Sequence, residues 1–221
     1  MRRVLALAAR DLKLELRGRS GLFSALFFLG VVLLILGFAL GPEEDDLRRA
    51  APGVLWVALA FAGSLLAGRA WALEVENDTL DDLLLLPGSR EWIYWGKFLF
   101  LWVLLLGVSV VLLLLVAGMF YLPLAQAPAL FLTLVLGATG YAAVATFYAG
   151  LVVRLPTAQL VLPILVFSVV VPVVLAAVRA TTGLAEGATP AEVAAWWKLL
   201  AAFDVIYLTA SSLLFPFVVE G

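Results

Sequence analysis

The sequence predicts an all-α polytopic membrane protein. Six transmembrane helices follow an N-terminal amphipathic interfacial helix, and a short cytoplasmic helix interrupts the series. Three observations predict this. The chain of 221 residues is 65% hydrophobic and 14% charged, whereas globular domains are roughly 45–50% apolar. Its apolar residues gather into six stretches, each close to the roughly 20 residues that cross ~30 Å of hydrocarbon. Between them lies no polar stretch long enough for a second core, so residues 1–221 form a single transmembrane domain.

The N-terminal arm, residues 1–21, places Leu5, Ala9, Leu12 and Leu16 on one helical face and Arg3, Arg10, Lys13 and Arg17 on another. A basic amphipathic helix of this kind lies in the headgroup layer of a bilayer; the alternative is a set of anchoring positive charges with no defined helix. The first span is 22–41. It is longer than the 7–15 apolar residues of a secretory signal, and Asp11 and Glu15 lie upstream, so it is expected to stay uncleaved. The second span is 53–73, after a loop containing Glu43, Glu44, Asp45 and Asp46.

The loop 74–97 holds six carboxylates, from Glu74 to Glu91, and a leucine run stopped by Pro87. Asp78 or Thr79 can cap a short helix whose first turn carries Asp81 and Asp82. Leu80, Leu83 and Leu84 then share one face. That face needs a cover, either the ends of the chain's own spans or a cytoplasmic partner.

The third span is 98–118 and the fourth 129–153. Gly137, Ala138, Gly140, Ala142, Ala143, Ala145, Ala149 and Gly150 make the fourth a helix that neighbours can approach closely. The fifth span, 159–178, contains Pro163 and Pro172, each of which removes a backbone donor and favours a kink. The linker Thr181–Ala195 is too apolar for a free loop and predicts a short outer-surface or re-entrant helix. The sixth span is 199–218. Asp204 lies inside it and is costly there unless paired, hydrated or protonated; Arg179 is the candidate partner. Trp196 and Trp197, like Trp92, Tyr94 and Trp95 with Lys97 before span three, fit an interfacial aromatic belt. Stacking of a planar ligand on Trp196 or Trp197 is the alternative.

Ten of the fourteen Lys and Arg residues fall on the face carrying the N-terminal arm and the 74–97 loop, and four on the other. The positive-inside rule therefore puts both termini in the cytoplasm.

Composition excludes several functions. With no His, no Cys and two Met, the usual ligands of haem iron, zinc or copper are nearly all missing, so neither metal nor bound cofactor is expected in this chain. Clustered Ser/His or paired intramembrane Asp for an enzyme are absent, so no catalytic residue is expected. No basic patch suits nucleic acid. The chain also has no Gly-x-x-x-x-Gly-Lys-Ser/Thr phosphate loop. A channel or secondary transporter would need a polar file, and no repeat joins the two halves.

Three segments carry a resemblance: Gly41-Pro42-Glu43, the run Arg49-Ala-Ala-Pro-Gly-Val-Leu-Trp-Val-Ala58, and Asp78-Thr-Leu-Asp-Asp-Leu-Leu-Leu-Leu-Pro87. Together they resemble the haem exporter B (CcmB) family, ABC-2-type permeases of the bacterial cytochrome c maturation system, over essentially the whole chain. Asp78 departs from the pattern, since the family often has glycine there. The resemblance implies an inner-membrane permease subunit of an ATP-driven transporter in haem export for c-type cytochromes, with haem a substrate of the complex. ATP would be bound by a separate CcmA-like chain. The other implied partners are a second copy of this chain, a CcmC-like haem-handling protein and a CcmE-like chaperone. On this reading Asp78, Leu80, Asp81, Leu83, Leu84 and Pro87 form the element that couples to the ATPase. Permeases for another substrate remain the alternative.

Overall fold

A computed structural model describes residues 1–18, 20–71, 74–75, 83 and 90–220. Among them the fold is all-α: α1 (Arg2–Gly18), α2 (Ser20–Leu40), α3 (Glu44–Arg69), α4 (Glu91–Met119), α5 (Ala127–Val152), α6 (Ala158–Ala185) and α7 (Pro190–Glu220). The helices α2 to α7 are each long and apolar enough to cross a membrane.

α3, α4 and α7 begin well ahead of the predicted spans and α6 ends well past its own, because polar residues extend these helices rather than ending them; α3 in turn stops at Arg69, short of the expected 73. In α3 the run Glu44, Asp45, Asp46 forms the first turn, where negative charge favours the exposed amide dipoles. Pro52, expected just ahead of a span, therefore sits inside the helix. Likewise α6 runs unbroken through Pro163 and Pro172.

The helix expected within Thr181–Ala195 does not exist as a separate element. Residues up to Ala185 extend α6, those from Pro190 begin α7, and a tight turn joins them. Gly187 has φ +93, Ala188 N donates to Gly183 O at 2.8 Å and Gly187 N to Leu184 O at 3.2 Å. That is the glycine-terminated helix end in which a left-handed residue lets the chain satisfy the last carbonyls. Thr189 then starts α7 with Pro190 at the first helical position. Glu192 reaches back to accept from Thr189 N at 2.6 Å and Thr189 Oγ1 at 2.9 Å.

The small-residue helix α5 is the centre, packed against α3, α4, α6 and α7. All eight of its predicted small residues are buried. The ring of Trp56 fills the space above Gly137, where an added Cβ would lie 2.2 Å from Trp56 Cη2. Indole N–H groups bond across helix boundaries: Trp56 to Thr181 Oγ1 at 2.9 Å, Trp95 to Ser212 Oγ at 3.0 Å, Trp102 to Thr139 Oγ1 at 2.8 Å and Trp197 to Thr133 Oγ1 at 2.9 Å. By contrast α2 is peripheral, with most of its apolar surface left exposed by the rest of the fold.

Helix α1 forms as expected, but its inward face differs from the wheel's apolar face. Leu7, Ala8 and Asp11 are buried, while Leu5 and Leu16 are about half exposed. Its carboxylates turn inward because they have partners there. Glu15 Oε1, for instance, accepts from Leu22 N at 2.7 Å and so satisfies one of the free amides opening α2.

Candidate functional site

The charged residues buried among those described are Asp11, Glu74, Lys97 and Asp204. Three of them meet. Lys97, on the second turn of α4, is fully buried. Its Nζ lies 2.8 Å from Glu74 Oε2, 2.8 Å from Asp11 Oδ2 and 2.6 Å from the carbonyl of Ala70. Ala70 caps α3, so Lys97 both supplies a donor to a carbonyl the helix leaves free and places positive charge at the negative end of its dipole. The ammonium also stands over the Trp71 ring, 5.0 Å from its centroid. Arg10 closes the cluster, with Nη2 at 2.7 Å from Asp11 Oδ1 and a hydrogen bond to Glu74 Oε1. Partial burial alone would lower the Arg10 pKa. Its hydrogen bond to Asp11 and the charges of Asp11 and Glu74 outweigh that and hold it above its ordinary value.

Two cations and two anions thus balance in a knot shared by α1, the segment following α3, and α4. Such burial is tolerable only because each charge is paired and hydrogen-bonded. Sequence reasoning missed this cluster. The sequence pattern puts Arg10 on the basic face of the N-terminal arm and Tyr94 and Lys97 in an interfacial aromatic belt. In fact Tyr94 is fully buried, its hydroxyl donating to Ala143 O at 3.2 Å. The available signal was the pair of carboxylates, Asp11 and Glu15, on an otherwise basic helix.

Of the predicted coupling residues, Leu83 is helical, buried and part of the main apolar core. Asp78, Leu80, Asp81, Leu84 and Pro87 lie outside the described residues.

The proposed Arg179–Asp204 pair does not form. Arg179 is exposed on α6, whereas Asp204 is 6% exposed, and its Oδ1 has no hydrogen-bond partner. The carboxyl is instead seated where α5 has no side chain, since a Cβ on Gly140 would come within 2.6 Å of Oδ1. The two residues lie on different helices, and the inward packing of α7 turns Asp204 toward α5 rather than toward the arginine. Trp197 is half-buried and tied to Thr133, while Trp196 is 37% exposed.

The sequence profile described as "CcmB protein" matches residues 2–220. The chain is 34% identical over 186 residues to "Heme exporter protein B" of Paracoccus denitrificans, covering 84% of this chain and 85% of that protein. Identity to the Rhodobacter capsulatus protein of the same name is 33% over 183 residues, 82% and 84% of the two chains. To that of Bradyrhizobium diazoefficiens it is 30% over 205 residues, 92% and 90%.

Proposed function

The chain belongs to the CcmB family, and from that footing we propose that it is the permease subunit of an ABC transporter serving haem export in c-type cytochrome maturation. It is a multi-pass protein of the bacterial inner membrane. The observation that carries this reading is the end-to-end family match on a chain built from six membrane-length helices. Because the chain lacks a phosphate loop, ATP hydrolysis belongs to a separate CcmA-like subunit. A second copy of this chain, a CcmC-like haem-handling protein and a CcmE-like chaperone complete the proposed assembly. With no histidine, this subunit contributes force rather than iron ligation.

In the proposed cycle, both termini are cytoplasmic and the ATPase engages the Asp78–Pro87 stretch. Nucleotide-dependent docking biases the bundle between two packings. An autonomous ion pathway is disfavoured, because Asp204 is the one buried charge away from the knot among the described residues.

The chain has no cysteine, which gives a clean test. Single cysteines at Asp78, Asp81 or Leu84, in complex with the ATP-binding subunit, should crosslink to that subunit, with yields that change on adding ATP. Labelling of the same cysteines only from the periplasmic side, or absence of any crosslink, refutes the assignment.

A further inference from the structure

The knot has a feature that none of the family likeness supplies. Glu74, just after α3, and Lys97, on the second turn of α4, flank the stretch assigned to coupling, and their side chains meet at 2.8 Å. The two described residues flanking that stretch are therefore tied to each other. Asp11 and Arg10 bind the same two residues from α1. Close backbone packing adds to this attachment, since a Cβ on Gly96 would lie 3.1 Å from Leu7 Cβ.

Lys97, Asp11 and Glu74 are 0%, 1% and 2% exposed, so water cannot stand in for a lost partner. Helices joined by such contacts hold discrete arrangements rather than sliding continuously. We infer that the Arg10–Asp11–Glu74–Lys97 knot is a force-transmitting joint: it clamps the base of the 74–97 segment so that α1, the end of α3 and the start of α4 respond as one body to the cytoplasmic subunit acting on that segment. The four are positioning residues, and this inference rests on the coupling role proposed above.

The test uses the full complex with its ATP-binding subunit, in cells whose own permease is deleted. The double variant Lys97→Met/Glu74→Gln removes one cation and one anion and leaves the Arg10–Asp11 pair. Permease abundance and ATPase copurification should stay within twofold of native, while covalently haem-stained c-type cytochrome falls tenfold or more. Lys97→Arg, which keeps the charge, should retain more than half of the native output. Native output from the double variant overturns the joint, and so does loss of ATPase copurification, which would make the knot a docking element.

A second measurement does not depend on that variant folding. Leu7→Cys/Gly96→Cys, oxidised to a disulfide, welds α1 to α4. One-body motion requires at least half of native output in the oxidised state, and a tenfold fall reversed by reductant overturns the proposal. If the native chain retains no ATP-binding subunit, the functional reading fails and takes the joint with it. Native retention with an undiminished double variant sinks the joint alone.

Discussion

Replacing Lys97 by Met keeps the length of the side chain and removes its charge. The structure then leaves Glu74 and Asp11, at 2% and 1% exposure, facing each other with Arg10 as the cation paired to both among the described residues, and the Arg10 side chain is 47% exposed. Removing one member of a buried ionic group costs about 3–5 kcal/mol, because the remaining charge is left uncompensated. Glu74→Gln should cost less, about 1–3 kcal/mol, since Lys97 keeps Asp11 and the Ala70 carbonyl. The double variant restores neutrality around Arg10–Asp11, and replacing a buried pair by neutral groups of similar volume is often near neutral; we expect about 1–2 kcal/mol. The singles therefore exceed the double by at least about 2 kcal/mol of coupling. Equilibrium unfolding by SDS titration in mixed micelles, followed by tryptophan fluorescence, measures all four corners of the cycle. Additivity within about 0.5 kcal/mol would mean that Lys97 and Glu74 do not interact directly, and the reasoning would fail.

Two further outcomes follow from the packing. Gly137→Ala places a methyl 2.2 Å from the Trp56 ring, so it should destabilise by about 1–3 kcal/mol in the same titration; an unchanged midpoint would show that α3 and α5 are not in this contact. Asp204→Asn and Arg179→Ala should each leave the unfolding free energy within about 1 kcal/mol of native, because no ion pair joins them and Asp204 Oδ1 has no partner to lose. A loss above about 2 kcal/mol in both, recovered by double charge reversal, would restore the rejected pair.

The six spans were legible because apolar length alone decides what crosses a bilayer, and the burial of α5 was legible because glycine and alanine clustering permits close approach. Helix ends were less so. Acidic residues before Leu47 look like loop but make a good first turn. Thr189-Pro190-Ala191-Glu192 after Gly187 carries its own stop and start signals, whereas the apolar length of the linker alone points to a separate helix. The knot was illegible for a different reason. Asp11, Glu74 and Lys97 are widely separated in sequence, and each alone reads as an ordinary interfacial charge. Only the docking of α1 on α4 turns them inward. For Asp204 the place of Arg179 at the outer end of span five suggests a partner, whereas helix rotation decides which neighbour a side chain faces.

The indole bonds have a geometric consequence. Trp102 joins α4 to α5, Trp197 joins α7 to α5, and Trp95 joins α4 to α7. Three struts closing a triangle make a truss, which resists shear along any one side. To slip one helix past another, a donor would have to be abandoned in hydrocarbon, where no solvent acceptor waits. Because α4 is a member of both the truss and the ionic knot, any displacement entering at Lys97 tilts the whole frame at once.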